Sequence, residues 1–233
     1  MTASEHRLEA SVLVVATCLM LLLLTTAPSA LGQTPPRRTC LPVSERAGRN
    51  VGCWIMASQP LGPLAQPAVF WHLDSYPTRA AAEAAKGPRG TVVEALERVW
   101  LFTIGESGWR PPGGVRVAEI GPLPVKSGEP YTAQYMEGIS HPGDVTPKHR
   151  HPGPEAWYTT AGGFCAETPD GKTVVRAGQG IVIPTDHSGW SMMTLIATGP
   201  EVRRSLVLVL HQSAHPWTAP VPGWTPKGLC EKE

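Results

Sequence analysis

The chain has 233 residues, of which 42% are hydrophobic and 17% charged, so it can bury a sizeable core and long disorder is excluded. A formal net charge of +1 and the lack of a Lys/Arg cluster exclude the basic surface of a nucleic-acid binder and a polybasic membrane contact. The 25 Pro and 24 Gly residues are spread along the chain, which favours many short strands joined by turns.

Residues 1–32 are predicted to be a secretory signal peptide. A short polar start with Arg7 precedes an apolar core from Val12 to Leu24, and Ala30-Leu31-Gly32 offers small residues for cleavage. An uncleaved membrane anchor is the alternative, although the apolar stretch is short against the about 20 residues that a span needs. We therefore expect an exported protein, periplasmic or secreted, with no stable membrane span after signal cleavage.

Four cysteines lie beyond the signal: Cys40, Cys53, Cys165 and Cys230. An even number in an oxidising compartment predicts two disulfides. Of the three pairings, Cys40–Cys53 with Cys165–Cys230 is favoured, because the first closes a short loop and the second ties the C-terminal tail to the body of the domain. Free, buried thiols are the alternative. The C-x12-C spacing does not suit a structural zinc site.

Residues 33–110 are predicted to form a small N-terminal α/β extension that starts with a linker over 33–39. Two strands and one helix are expected in it, at 51–58, 68–73 and Arg79–Lys86. Thr78 is a suitable helix N-cap and Gly87-Pro88 ends the helix. Residues 91–104 combine helical spacing with strand composition, which indicates a short turn or helix that runs into a strand.

Residues 111–212 are predicted to be all β. The candidate strands are short and lie at 115–120, 132–137, 145–151, 156–160, 163–167, 173–176, 180–184, 191–197 and 205–211. Turn residues separate most of them, so a sandwich or barrel is expected. The tail, residues 213–233, is rich in proline and is expected to wrap the surface, held by Trp217, Trp224 and Cys230.

The segment from Gly143 to Gly162 carries the most chemistry. Residues i and i+2 of a strand point to the same face, so His149 and His151 project together. Pro152-Gly153-Pro154 predicts a tight turn, after which Glu155 begins a return strand and brings its carboxylate back to the imidazoles. Two neutral imidazoles and a carboxylate form a facial set that suits a divalent transition metal, namely Fe, Mn, Ni, Zn or Cu.

This segment resembles the first motif of the cupin superfamily, G-x5-H-x-H-x3-E-x6-G, at every defined position. The second cupin motif, G-x5-P-x-G-x2-H-x3-N, is incomplete. Gly178 and Pro184 match it, whereas Asp186 replaces a glycine and Gly189 stands where the fourth ligand histidine should be. His187 lies two residues earlier, so it substitutes as a ligand, or the site has three protein ligands and a water, or metal binding is weakened.

The resemblance implies a mainly β fold, the cupin double-stranded β-helix or jelly-roll barrel, with His149, His151 and Glu155 as metal ligands. In this interpretation the N-terminal extension adds strands to a barrel edge and covers it. The chain beyond the signal also resembles exported bacterial single-domain cupins that end in Pro-Lys-Gly-Leu-Cys, here residues 226–230. That resemblance names no substrate. Cupins often dimerise by sheet pairing, so a homodimer is an expectation.

Several side chains are candidates for the wall of a small-molecule pocket. Gln134 and Met136 alternate along a strand expected beside the metal site, and Trp157 and Met192 are candidates for apolar walls. Arg203-Arg204 could hold an anionic substrate, although a solvated turn is the simpler interpretation. His72 and His211 are interpreted as structural histidines.

Three functions are consistent with these patterns. The first is a metal-dependent enzyme, an oxygen-dependent oxidoreductase acting on a small organic molecule. The second is a non-catalytic module that binds a small ligand or a metal, and the third is a metal-free cupin with a structural role. For the first two, metal occupancy is expected to fall below about pH 6, because the metal needs neutral imidazoles.

Overall fold

The fold is described by a computed structural model for residues 40–231, so the predicted signal peptide and linker lie outside the described residues. The described chain contains a 3-10 turn at Val43–Glu45, one helix, α1 (Arg79–Ala85), and fourteen strands. The strands are β1 (Leu41–Pro42), β2 (Gly52–Pro63), β3 (Ala68–Tyr76), β4 (Gly90–Ala95), β5 (Arg98–Gly105), β6 (Val115–Pro124), β7 (Pro130–Ser140), β8 (Val145–His151), β9 (Glu155–Ala161), β10 (Gly163–Thr168), β11 (Gly171–Arg176), β12 (Gly180–Ile183), β13 (Ser191–Thr198) and β14 (Arg203–Gln212). Within residues 40–231 no helix is long and apolar enough to cross a membrane.

Strands β7 to β14 form a jelly roll. Four of them pair in the order β7-β14-β9-β12 and the other four in the order β8-β13-β10-β11, and all pairs are antiparallel. Two interlocked four-stranded sheets in this order are the arrangement of an eight-stranded jelly roll. The predicted mainly β, jelly-roll fold is therefore confirmed.

The N-terminal extension adds strands to one barrel sheet, as expected. Strand β2 pairs antiparallel with β7, and β1 pairs parallel with β2. This gives the six-stranded sheet β1-β2-β7-β14-β9-β12, which faces the four-stranded barrel sheet β11-β10-β13-β8. The edge of β7 is thereby paired and removed from solvent.

The rest of the extension forms a third sheet, the N-terminal sheet, in the order β4-β5-β3-β6. Its Trp71 and Phe102 pack on Tyr135 of β7, with ring centroids 6.3 and 5.1 Å away respectively. Leu206, Leu208 and Leu210 of β14 join this core, whereas Val207 and Val209 point to the barrel interior. The six-stranded sheet is therefore buried on both faces, which explains why β14 is apolar without alternation.

The helix predicted from Thr78 is present as α1, and the Thr78 hydroxyl accepts a hydrogen bond from the backbone N–H of Ala81. The expectation of a turn or helix at the start of 91–104 was wrong, because these residues form the hairpin β4–β5. Val92 packs with α1 and Val93 packs in the core shared with the barrel, so neighbouring residues are both buried and imitate helical spacing. The strand predicted at 115–120 is part of β6, which pairs with β3 in the N-terminal sheet.

Both disulfides of the favoured pairing are present in the structure, Cys40–Cys53 and Cys165–Cys230. The second anchors the C-terminal tail to β10. The carboxylate of Glu167, also on β10, accepts hydrogen bonds from the backbone N–H groups of Lys227 and Leu229. The tail therefore runs back over the four-stranded barrel sheet, at whose edge Arg150 of β8 bridges to Ala219.

Candidate metal centre

The motif residues meet at a corner of the barrel. His149 and His151 lie on β8 in the four-stranded barrel sheet, and Glu155 is the first residue of β9 in the six-stranded sheet. Strand β8 pairs with β13, whereas β9 pairs with β12 and β14. The Pro152-Gly153-Pro154 turn carries the chain from one barrel sheet to the other, and Glu155 begins the next strand there, as predicted. The two imidazoles and the carboxylate face each other across the interior.

Two glycines of the motif permit this corner. Gly153 has φ +147°, and a Cβ atom there would lie 2.0 Å from the carbonyl oxygen of Leu210. Gly162 has φ +63°, and a Cβ atom there would lie 2.9 Å from Cα of Arg203. Both positions need the left-handed region and a close approach to β14, which only glycine tolerates without strain. The spacing of the motif thus reflects backbone geometry as well as ligand placement.

Backbone carbonyls fix which nitrogen of each histidine faces the interior. Nδ1 of His149 lies 2.8 Å from the carbonyl oxygen of Pro147, and Nδ1 of His151 lies 2.6 Å from that of Trp217. A carbonyl oxygen only accepts, so each Nδ1 carries the hydrogen and donates it. Each Nε2 is left with a free lone pair, which is the arrangement of metal-ligating histidines.

The three side chains are buried, with exposures of 7% for His149, 1% for His151 and 2% for Glu155. Nε2 of His151 lies 3.7 Å from Oε1 of Glu155, and neither that nitrogen nor Oε2 of Glu155 has a hydrogen-bond partner. Buried polar atoms without partners are rare in folded proteins. Here such atoms converge on one point of the interior.

Burial sets the protonation of this group. Burial lowers the pKa of His149, and lowers that of His151 well below its usual value, with the neighbouring His149 adding to the effect on His151. Burial raises the pKa of Glu155 to about 8, partly offset by the Trp157 side chain and then by the Arg203 guanidinium. The imidazoles are therefore neutral at neutral pH, whereas the carboxyl keeps its proton unless a cation is present.

The donor set fits a transition metal. The ligand atoms of His149, His151 and Glu155 all lie within 4.8 Å of one another, and residues 40–231 contain no second group of this kind. Donors that share one zinc ion sit about 2.0–2.2 Å from it and hence no more than about 4.4 Å apart. A small inward movement of side chains satisfies that limit. Imidazole and carboxylate together suit Fe, Mn, Ni, Zn or Cu.

The triad faces a small cavity of about 40 Å³. At about 10–15 Å³ per water, such a space holds about three water molecules. The remaining lining comes from both barrel sheets, the N-terminal disulfide and the tail: Cys40, Cys53, Met136, Gly138, Thr146, Trp157, Arg203, Val207 and Trp217.

Some predicted pocket residues line this cavity and others do not. Met136 and Trp157 line it, whereas Gln134 is buried on β7 but lies outside the lining. Met192 does not line it. Met193 is buried in the barrel core and does not line it either.

The structure does not bring His187 to the triad. His187 is exposed in the loop between β12 and β13 and lines a different cavity, beside Lys126 and Gln212. The loop is held instead by Asp186, whose carboxylate accepts hydrogen bonds from the backbone N–H groups of Ser188 and Trp190. Asp186, which replaces a glycine of the second cupin motif, thus stabilises its own turn.

His72 has a structural environment, as expected. Its Nε2 donates to the carbonyl oxygen of Glu106 at 2.9 Å, and its Nδ1 accepts from the guanidinium of Arg116 at 3.0 Å. His211 hydrogen-bonds the carbonyl oxygen of Gln212 and lies outside the metal-ligating group.

Arg203 was underestimated by sequence reasoning. It is 4% exposed rather than solvated, and its guanidinium lies 5.1 Å from the ring centroid of Trp157. Arg203 and Val207 are four residues apart on β14, so their side chains point to the same face of the sheet. The inward direction of the apolar Val207 therefore indicated an inward direction for Arg203. Trp217 had no comparable signal, because its ring stacks on His151 at 5.7 Å only through the path of the tail.

Comparisons with known proteins give similarity in fold. No protein-family model matches the chain, and no curated protein matches it. Among solved structures, a cupin-2 domain protein from Shewanella frigidimarina is 17% identical with a TM-score of 0.27, covering 33% of this chain and 68% of its own. A double-stranded β-helix protein from Klebsiella pneumoniae is 19% identical with a TM-score of 0.32, covering 42% and 75% respectively.

An oxalate oxidase in complex with the substrate analogue glycolate is 23% identical with a TM-score of 0.31, covering 40% of this chain and 46% of its own. This chain thus spans about half of that protein. The strand order is that of an eight-stranded jelly roll, and the segment that resembles the first cupin motif runs from the turn before β8 to the end of β9.

Proposed function

We propose that this protein is an exported metal-binding cupin in which His149, His151 and Glu155 hold a divalent transition metal. The observation that carries the proposal is the convergence of lone-pair atoms without partners at one buried point. A purely structural role would leave these atoms unpaired in the interior, where each costs about 1–3 kcal/mol. A bound cation removes that cost and keeps the Glu155 carboxyl ionised.

We further propose that the centre is catalytic, as an oxygen-dependent oxidoreductase acting on a small organic molecule. Structural metals are usually fully ligated by protein, whereas three protein ligands leave positions open. When bound, such an ion supplies Lewis-acid and redox chemistry. The chain's own contribution is to orient both imidazoles through backbone carbonyls and to exclude bulk water with Trp157, Trp217 and the Cys40–Cys53 disulfide.

A non-catalytic module that binds a small ligand or a metal is the second candidate. It is favoured by the departure at Gly189 and by the absence of His187 from the triad. Metal-dependent oxygen consumption with any small-molecule substrate would exclude this candidate.

Export is supported by the two disulfides, because such bonds persist in oxidising compartments. N-terminal sequencing of the protein recovered from outside the cytoplasm tests the cleavage proposed after residue 32. A mature protein that begins at or near Gln33 is expected.

Metal content tests the centre directly. The mature protein, prepared without a metal-affinity tag, is expected to carry close to one equivalent of a transition metal by elemental analysis, and His149→Ala to carry far less. His187→Ala is the matched control and should retain the metal, because its side chain lies in the separate exposed loop. Substoichiometric metal that is unchanged in His149→Ala contradicts the proposal.

A further inference from the structure

We propose that Arg203 anchors the carboxylate of a small organic acid in the cavity that contains the triad. This proposal deepens the function proposed above and rests on it for the role of the metal, because it names the chemical class of the ligand at the same site. Arg203 and the triad residue Glu155 line the same cavity.

Arg203 carries a buried charge without an ion pair in direct contact. No carboxylate among residues 40–231 forms an ion pair with Arg203, although eight ion pairs are found elsewhere in that range. Its hydrogen bonds go to neutral hydroxyls, from Nε to Ser140 at 2.8 Å and from Nη1 to Ser205 at 3.4 Å. Burial lowers the pKa of Arg203, and the charges of Asp144 and Glu155, which act from a greater distance, offset this only in part. An anion in direct contact with the guanidinium would therefore stabilise its buried charge.

The cavity as a whole carries an excess of positive charge once a divalent metal is bound. Among its lining residues, Glu155 is the one acidic group in the described chain, and we assign its carboxylate to the metal. A divalent cation adds two positive charges to that of Arg203, and the carboxylates of Glu155 and Asp144, whose charges both act on Arg203, balance two of the three. A bound anion restores neutrality in a place where water is scarce.

The surroundings of the guanidinium also suit a carboxylate. The guanidinium lies against the rings of Trp157 and Phe164, at 5.1 and 5.7 Å from their centroids. At Gly138 a Cβ atom would come within 3.3 Å of Nη2, so the glycine leaves this end of the guanidinium uncrowded. The planar fork of an arginine matches a carboxylate in a bidentate arrangement.

The size of the cavity restricts the ligand. A cavity of about 40 Å³ admits only a few non-hydrogen atoms beside the triad. Among carboxylic acids only the smallest, of about two carbons, approach that size, with the carboxylate towards Arg203 and the remaining atoms towards the metal ligands.

Calorimetric titration with glycolate tests the anchor, and glycolamide, which has the same shape without the charge, is the ligand control. Both are titrated into chelator-treated and metal-reconstituted protein, whose metal content is measured on the same samples. Wild-type protein is expected to bind glycolate at least tenfold more tightly than glycolamide. Arg203→Met should weaken glycolate binding at least tenfold, and Arg203→Lys should lie between the two, because lysine keeps the charge without the fork.

Arg204→Met is the matched control variant, because Arg204 lies on the opposite face of β14 and lines surface clefts away from the triad. It should leave glycolate binding unchanged. If Arg203→Met does not fold, Gly138→Ala crowds Nη2 and should weaken glycolate binding while leaving metal content intact.

The outcomes separate this proposal from the previous one. Arg203-dependent glycolate binding to protein that holds no metal supports the anchor and removes the metal centre. Full metal content with equal glycolate affinity in wild type and Arg203→Met overturns the anchor alone. Equal binding of glycolamide, or tighter binding of inorganic phosphate, also overturns the assignment to a carboxylate.

Discussion

At the scale of single residues, the environment of the triad changes the expected response to pH. The sequence led us to expect loss of metal below about pH 6, the usual range of histidine. Burial lowers the pKa of both His149 and His151, so their protonation competes only at lower pH. Glu155 behaves in the opposite way, since burial raises its pKa to about 8. The carboxyl, rather than the imidazoles, therefore governs binding near neutrality.

We predict that metal binding releases a proton from Glu155. Below its pKa of about 8 the metal-free carboxyl is protonated, and the metal binds the ionised form. The apparent affinity should therefore rise about tenfold for each pH unit up to about pH 8 and then level off. Calorimetry at pH 7 in buffers of different ionisation enthalpy measures the number of protons released.

Glu155→Gln is the variant for this prediction, since it keeps the shape of the side chain and removes the titrating group. It should bind metal more weakly and show a flat affinity between pH 6.5 and pH 8. A slope in Glu155→Gln equal to that of the wild type would assign the released proton to another group.

At the scale of elements, the corner between β8 and β9 determines whether the triad can form. We predict that Gly153→Ala destabilises the protein severely, by more than about 3 kcal/mol, because its Cβ would collide with the Leu210 carbonyl at 2.0 Å. Urea denaturation measures the free energy of unfolding, and metal content reports on the triad.

Gly143→Ala is the matched control. Gly143 also has a positive φ, +83°, but nothing lies within 4 Å of a Cβ atom there. The free energy of unfolding of Gly143→Ala should fall by only about 1–2 kcal/mol, the cost of placing an alanine in the left-handed region, and the variant should retain the metal. Equal losses in the two variants would show that the close approach to β14 is unimportant.

The candidate ligands themselves follow directly from residue spacing, whereas the corner does not. Alternation along β8 put His149 and His151 on one face, and the structure has them there. Met192, a candidate for an apolar wall, lies outside the cavity lining, because which strands border the cavity is decided by the packing of the two sheets. The Glu155 carboxylate does come back towards the imidazoles, but the tight turn alone did not determine whether β9 pairs with β8 or joins the other sheet.

At the scale of the whole molecule, the C-terminal tail contributes to the site. Trp217 supplies the carbonyl that orients His151, and the Cys165–Cys230 disulfide fixes the end of the tail. Interactions of this supporting kind are typically worth about 10–100-fold in metal affinity. The tail is thus expected to matter for function as well as for stability.

We predict that the double variant Cys165→Ser/Cys230→Ser loses about 4 kcal/mol of stability, since the bond closes a separation of 65 residues. Its metal affinity should fall as the Trp217 carbonyl becomes less well held. Urea denaturation and metal titration measure the two effects.

Cys40→Ser/Cys53→Ser is the comparison, and for a separation of 13 residues it should lose about 3 kcal/mol. Its metal affinity should change less, because this bond forms a cavity wall and does not hold the carbonyl that orients His151. A larger loss of metal affinity here than in the first double variant would contradict the proposed role of the tail.

A homodimer formed by sheet pairing stays a prediction, which light scattering of the mature protein tests.

The sequence by itself determined the β architecture and the identity of the candidate ligands. Strand periodicity and the H-x-H-x3-E spacing are local properties, and local backbone geometry turns them directly into faces and directions. The favoured cysteine pairing also follows from spacing and is the one present in the structure.

Only the tertiary structure decided what surrounds those ligands. The burial of Arg203, the carbonyl of Trp217 beside His151 and the N-terminal sheet that covers β14 all bring together segments that are distant in the chain. Long-range packing has no periodic signature in the sequence, because each partner is selected by the shape of the whole fold. The electrostatics of the cavity follow from that packing, so the proposed ligand class became visible only there.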